Sequence, residues 1–485
     1  MKKTKKQING QSSLQETMRL HRRETVRTKF FLISKRSKDQ RKRERDSSRE
    51  KRMPHSSDLA ENGTHSGVPP TRISRYLLLI LGACRCPTDH LLHRKMMENS
   101  ILVGYTVFMQ RIYLDNGSTS WPKAPGVGDT IADFLSGNGS NINRGSYADA
   151  YETEERVVSV RQALGSLFGC SDPRFVSFTL NVTEALNFLI KGLFHHDDHI
   201  LVSSMEHNAV MRPLIQSGIA FTRIPADRQG HMIVKGIEEL ILPTTKAILV
   251  TAASNVSGTI QPLQTLSDIA RTHHLLFLVD TAQAVPYLDL SGLTADAFAW
   301  TGHKGLLGPQ GVGGLVLSTH LAEMIDPLVS GGTGSFSDKE TIPTVMPDKL
   351  EAGTQNLPGI LGLGTALSFL ATQKTKLREN ERDMGSLLLE GLLSNKKISL
   401  AGPPSMEGRV PVFSIDVPDR DNADIAFTLS SRYGIETRVG LHCAPAAHKS
   451  LGTFPKGTIR FSPGPFTTKD DIQTTLEALK EILDA

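Results

Sequence analysis

The stretch Ala295-Asp296-Ala297-Phe298-Ala299-Trp300-Thr301-Gly302-His303-Lys304-Gly305 constrains this chain most. Its apolar run reads as a buried strand, and the small polar turn that ends it delivers Lys304 to whatever lies at the strand's end. Burial disfavours the charged form of a lysine, so its pKa falls and it becomes a usable amine nucleophile. Upstream, Leu275-Leu276-Phe277-Leu278-Val279-Asp280 is a second apolar run, this one ending in a carboxylate. A strand-end Asp and a strand-end Lys at this separation suit neighbouring elements of one α/β sheet. A Schiff-base enzyme using pyridoxal phosphate needs such a pair. The lysine takes the aldehyde, and the acid keeps the pyridine nitrogen protonated.

Asp280-Thr281-Ala282-Gln283 together with Thr301-Gly302-His303-Lys304 resembles the class V aminotransferase superfamily, and within it the cysteine desulfurases. The likeness runs from about Ile112 to the C-terminus. It implies a pyridoxal-phosphate fold type I enzyme. That is an α/β protein with a doubly wound, mostly parallel sheet and a smaller C-terminal α+β domain. Alternating strands and helices, with chemistry-bearing residues at strand ends, support the same fold class from the residues themselves.

Site assignments follow from the resemblance. Phe175 to Thr179 reads as a strand running into a helix that begins near Leu180-Asn181-Val182-Thr183. A helix N-terminus presents free N–H groups and suits a phosphate. The resemblance assigns the cofactor phosphate to Val182 and Thr183, although Thr183 as a plain N-cap would have the same geometry. His207, after the strand Ile200 to Ser204, resembles the histidine stacked on the pyridine ring. Asn255, after the strand Ala247 to Thr251, resembles the asparagine that contacts the cofactor or the substrate. Gln283 matches the residue that hydrogen-bonds the phenolic oxygen. Thr301 and His303 accompany Lys304 as cofactor contacts. The loop Gly331-Gly332-Thr333-Gly334-Ser335 resembles one that reaches the neighbouring subunit's phosphate, which implies a homodimer with a shared active site.

Towards the C-terminus, Arg438-Val439-Gly440-Leu441-His442-Cys443-Ala444 resembles the desulfurase group with an Arg-x-Gly-His-His-Cys-Ala pattern, with Leu441 in place of the first histidine. The resemblance makes Cys443 the sulfur-accepting nucleophile, with His442 and Arg438 as neighbours that would stabilise its thiolate. Arg460 is then the clamp for the substrate carboxylate, with Arg438 as a second contact. The implied reaction converts L-cysteine to L-alanine, leaves a persulfide on Cys443, and passes the sulfur to an acceptor protein. Two alternatives remain open. A class V aminotransferase, or a selenocysteine or cysteine-sulfinate lyase, would use the same pocket without needing Cys443. A binding protein working through its basic N-terminal region would not need the pocket.

That N-terminal region differs from the rest. The chain has 485 residues and 55 Lys/Arg against 50 Asp/Glu, but residues 1–108 hold 24 of the bases and only 10 of the acids. A basic leader thus precedes an acidic body. Lys35 to Arg52 is nearly all charge and serine, too poor in apolar surface to offset its ordering entropy. The apolar stretch Tyr76 to Leu81 is too short to span a bilayer and misplaced for a signal peptide. Cys84-Arg85-Cys86 lacks a second ligand pair at zinc spacing, so no metal site is expected. The leader reads as a nucleic-acid or membrane-surface tail, as a targeting peptide, or as sequence outside the native protein, with translation starting at Met109. The last is favoured, because Ile112-Tyr113-Leu114-Asp115 resembles the family's opening strand.

The four cysteines, Cys84, Cys86, Cys170 and Cys443, are too few for a disulfide framework and suit a reducing, cytoplasmic compartment. The expected organisation is a leader (1–108), an N-terminal segment packing with the small domain (109–126), a large cofactor domain (127–350) and a small domain (351–485). Two helices, 358–372 and 374–393, are expected to begin the last of these. A chain beginning at Met109 should match the full chain in solubility and turnover. Loss of either on removing residues 1–108 would show the leader to be integral.

Overall fold

The computed structural model describes residues 111–485, apart from 138 and 144. In chain order the first elements are β1 (Ile112–Tyr113), α1 (Val127–Ser136), α2 (Ala148–Leu167) and β2 (Val176–Thr179). Next come α3 (Val182–Leu193), β3 (His199–Ser203), α4 (Asn208–Gln216), β4 (Ala220–Ile224) and β5 (Thr245–Thr251). Then follow α5 (Leu263–Thr272), β6 (Leu276–Asp280), β7 (Ala297–Thr301), β8 (Gly313–Leu317) and α6 (Thr319–Met324). A long helix, α7 (Leu357–Ser394), leads to β9 (Ser399–Ala401), β10 (Phe413–Asp416) and α8 (Asn422–Tyr433). The chain ends with β11 (Ile435–Glu436), β12 (Arg438–Gly440), α9 (Pro445–Leu451), β13 (Thr458–Phe461) and α10 (Lys469–Asp484).

Seven strands form the central sheet in the order β2-β8-β7-β6-β5-β3-β4. All of its pairings are parallel except the two made by β8, which runs against both β2 and β7. Parallel strands covered on both faces read as continuous apolar runs, and the alternation along each strand shows why. On one face Ile248, Val250, Phe277, Val279, Phe298 and Trp300 pack with α2, α5 and the first half of α7. On the other, Ala247, Leu249, Leu278, Ala297 and Ala299 pack with α3, α4 and α6. Every crossover returns its strand in the same sense, so the carboxyl ends of β2, β3, β5, β6 and β7 lie along one edge.

A four-stranded antiparallel sheet, β12-β13-β10-β9, carries a third core with α8, α10 and the second half of α7. β1 pairs in parallel with β11, and Asp115 bridges to Ser462 beyond β13, so the N-terminal segment is built into this C-terminal layer. The two helices expected at 358–372 and 374–393 are a single one of 38 residues. No glycine or proline falls between Leu370 and Arg378, so nothing interrupts the hydrogen-bond ladder at the expected break. Among the described residues no helix is long and apolar enough to cross a membrane.

One buried ion pair ties the segment before α7 to the sheet. Arg161 on α2 donates two bonds of 2.7 Å to the Glu351 carboxylate, and also donates to the carbonyl of Val176. Glu351 in turn accepts from the Phe178 N–H at 2.7 Å. Both side chains are buried, so removing one leaves an uncompensated charge away from water. Glu351→Ala should therefore cost about 3–5 kcal/mol of folding stability, read as a lowered denaturation midpoint. A change near zero would show that the pair is not holding β2 in place.

Candidate active site

Each strand end along the carboxyl edge delivers a polar group. β6 ends on Asp280, which is buried and accepts a 2.9 Å bond from the Ala282 N–H. β7 ends on Thr301, and Lys304 follows in a turn where Gly305 is required. A Cβ on Gly305 would stand 2.2 Å from the carbonyl oxygen of Val285. Desolvation pushes the Lys304 amine down to about 8, and the field of Asp280 opposes that fall. Desolvation raises Asp280 in turn, with its own backbone bond and Lys304 pulling the other way. The two groups therefore sense each other, as the strand register Asp280↔Ala299 requires of adjacent strand ends.

β3 leads to Glu206 and His207. The His207 ring caps α4, its Nδ1 accepting from the Ala209 N–H at 3.0 Å. Desolvation first, then the positive charges of Lys304, Arg460 and Arg212, push the ring down to about 4. It is neutral near pH 7, with its proton on Nε2. His303 is pushed down to about 4 for the same leading reason, and its buried Nδ1 has no partner. Thr301 Oγ1, two residues before it, is also buried and unpartnered.

At the start of α3 the cap is Asn181, whose side chain accepts from the Glu184 N–H at 3.0 Å. Thr183 is not the cap; it is exposed in the first turn, beside half-buried Val182. Thr183, His207, Arg212 and Cys443 line one open cavity of about 310 Å³.

Cys443 is exposed on the loop between β12 and α9. Its carbonyl accepts from the Asn208 N–H at 2.7 Å, and the carbonyl before it, of His442, accepts from Asn255 Nδ2 at 2.7 Å. His442 and Cys443 adopt φ of 47° and 57°, the left-handed region that non-glycine residues seldom occupy. The loop backbone is thus pinned in a strained form that leaves the sulfur outward. Arg438 lies close enough to Cys443 for their charges to interact.

One sequence expectation fails here. His442 does not support a thiolate. Its ring is buried, Nε2 pairs with Thr458 Oγ1 at 3.0 Å, and burial pushes it down to about 2, so it carries no positive charge to offer.

Arg460 is buried, and its Nη1 donates to the carbonyl of Asn255 at 3.0 Å. Arg438 is about half exposed. Both arginines bind the same carboxylate, that of Asp115. Gln283 Nε2 donates to the carbonyl of Gly117 at 2.8 Å, in the same N-terminal segment. The structure thus gathers Lys304, Asp280, His207, Asn255, Arg438, Arg460 and Cys443 about one edge.

Sequence reasoning missed two residues. Asp115 had a visible signal, a charged residue at the end of an apolar strand. Glu206 is fully buried beside the site and accepts from the Ser203 hydroxyl and, at 2.7 Å, from the Thr251 N–H. Desolvation pushes its carboxyl up to about 8. Its only sequence signal was its place directly before His207.

The class V aminotransferase family matches residues 112–475. The chain belongs to this family. A probable cysteine desulfurase of Methanothermobacter thermautotrophicus is 31% identical over 382 residues, covering 76% of this chain and 94% of that protein. The cysteine desulfurase CsdA of Escherichia coli is 29% identical, covering 77% and 94%. Among solved structures, the apo cysteine desulfurase of Thermococcus onnurineus NA1 superposes with a TM-score of 0.71 at 26% identity, covering 77% of this chain and 95% of that one. The matched region carries every strand end described above.

If Lys304 is the reactive amine, it should outpace ordinary lysines at moderate pH, because only the neutral amine attacks a carbonyl. Trapping a small aldehyde with borohydride and mapping the adduct by mass spectrometry should give half-maximal labelling of Lys304 near pH 8. Asp280→Asn should move that midpoint lower, since it removes the negative charge that favours the ammonium. A midpoint near that of a free lysine would refute the assignment.

Proposed function

We propose that this chain is a pyridoxal-phosphate-dependent cysteine desulfurase. The observation that carries the proposal is the pinned loop that presents Cys443 in the same cavity as Thr183 and His207, the latter close enough to Lys304 to feel its charge.

The residues fit the cofactor. Lys304 offers a lowered amine for the aldehyde, and Asp280 a buried carboxylate for the ring nitrogen. The neutral His207 ring suits stacking on a pyridine face. Thr183 and Val182 at the start of α3 suit the phosphate, and near Lys304 the buried Thr301 Oγ1 and His303 Nδ1 have no partner within the protein. When bound, the cofactor supplies an electron sink for the substrate's α-carbon.

The protein's own groups do the rest. Arg460, with Asn255 fixed beside it, orients the substrate through its carboxylate. Lys304, near neutrality between its two forms, can accept the α-proton and return one to the product. The Cys443 thiolate attacks the substrate sulfur. A sulfur–sulfur bond forms as the carbon–sulfur bond breaks, and the bonding electrons remain with the carbon fragment, which takes up protons to become alanine. A persulfide stays on Cys443. Arg438 is a cation close enough to Cys443 for their charges to interact. The other thiol in the body, Cys170, is half-buried, donates to the Asp172 carbonyl and is pushed up by desolvation, which suits a structural role. A homodimer and a protein that receives the persulfide sulfur belong to the same reading. Exposed Leu328, Val329 and Phe336 around the Gly331–Ser335 loop support the first of these.

Cys443→Ala should keep the cofactor's visible absorbance and lose most cysteine-dependent sulfide and alanine production. Cys170→Ala should change neither. Mass spectrometry after one turnover should find the extra sulfur on Cys443. Undiminished sulfur release from Cys443→Ala would move the protein to the lyase or aminotransferase reading.

A further inference from the structure

Beneath the Cys443 loop lies a pair of buried imidazoles that the proposed function does not use. His448 belongs to α9, which follows the loop, and is fully buried. Its Nδ1 pairs with Thr453 Oγ1 at 2.7 Å. The His442 ring pairs through Nε2 with Thr458 Oγ1 at 3.0 Å. The two rings lie 5.6 Å apart between centroids, tilted by 37°. Each has one nitrogen left over. His442 Nδ1 and His448 Nε2 are buried and have no hydrogen-bond partner among the described residues.

Burial pushes the His442 ring down to about 2 and the His448 ring down to about 4, so both are neutral near pH 7. The Leu441 carbonyl opposes the fall of His448, which sets that ring against the same loop. A neutral imidazole carries one N–H and one acceptor nitrogen. A threonine hydroxyl can donate or accept, so the two leftover nitrogens can be one of each kind. They can then share a single hydrogen bond, directly or across one buried water, and neither is left unmet. The loop needs such support. Two consecutive non-glycine residues in the left-handed region persist only where their surroundings over-determine them. Asn255 and Asn208 hold the carbonyls of His442 and Cys443, but neither holds the His442 side chain. The start of α9 packs through Ala444, Ala447 and Leu451 with Met205 and Val256, so His448 stands on a firm base.

We infer that His448 is a positioning residue for the sulfur-accepting thiol: joined to His442, it fixes the peptide before Cys443 in its left-handed form and so keeps the sulfur outward. The chain Thr453–His448–His442–Thr458 ties α9 to β13 across the base of the loop. His442 is thus gripped at both ring nitrogens, and its backbone follows the ring. The inference rests on the reading of Cys443 as the sulfur acceptor and extends it to the group that aims that residue.

The test compares two variants of the holoenzyme. His448→Leu fills the space without polar atoms, and His448→Gln offers an amide that can bond where Nε2 stands. Hydrogen exchange at the Asn208 and Ala444 amides reads the loop, because those N–H groups donate to Cys443 O at 2.7 Å and to Leu441 O at 2.9 Å. In His448→Leu their exchange should quicken roughly threefold to tenfold, the worth of one hydrogen bond. The kcat for cysteine should fall by a similar factor while KM changes little. His448→Gln should stay near wild type in both. A role in packing alone predicts the opposite order, since leucine suits a buried site better than an amide does. If neither variant folds, Thr453→Val removes the outer partner of His448 at nearly constant shape and should show the same quickening and the same loss. Unmoved exchange, or unchanged turnover in His448→Leu while Cys443→Ala is inactive, overturns the inference. Full sulfur release from Cys443→Ala would instead refute the desulfurase reading, and the exchange rates would still decide whether His448 holds the loop.

Discussion

The carbonyl oxygen of His303 gathers an unusual set of donors. Ser120 reaches it through its N–H at 2.8 Å and its hydroxyl at 3.1 Å, Thr119 through its hydroxyl at 3.1 Å, and Lys123 through its ammonium at 2.9 Å. A carbonyl has two lone pairs, so this one is saturated. It belongs to the peptide that carries Lys304, and all of its extra partners come from the N-terminal segment. The same segment reaches Gln283 through Gly117 and the two arginines through Asp115. Ten or so residues far from the rest in sequence thus set the position of the lysine turn, the two arginines and Gln283. The large sheet supplies the groups, and this strap fixes their distances.

Much of the fold could be read from sequence because its central strands are buried on both faces. Leu276–Asp280 and Ala297–Thr301 are nearly unbroken apolar runs whose polar ends face the same edge. Where sequence reasoning failed, the reason is equally physical. The break expected near Gln373 is absent: midway along α7 the helix passes from one core to another with its backbone hydrogen bonds uninterrupted.

The site was legible where a residue sits at a strand end, as Lys304, Asp280 and His207 do. It was less so where a role depends on a partner brought from far away. Nothing in Arg438-Val439-Gly440-Leu441-His442-Cys443 shows that His442 turns inward to Thr458 while Cys443 turns outward. That outcome depends on two consecutive left-handed residues and on Asn208 and Asn255 holding their carbonyls. Asp115 was passed over for a similar reason. Its arginine partners lie more than 300 residues away, and no local pattern announces them.

The uninterrupted α7 has its own consequence. Its first turns are buried in the core beneath the large sheet, through Leu357, Ile360 and Leu363, and its last in the C-terminal core, through Leu388, Leu389 and Leu392. At 1.5 Å per residue such a helix is a rod of about 57 Å. The two cores are thus keyed to one stiff shaft. Opening and closing by a bend at their junction would have to break that shaft, and no proline lies inside it after the first turn to ease the bend. Access to the site therefore falls to the loops at the sheet's edge, while the frame beneath them keeps its shape.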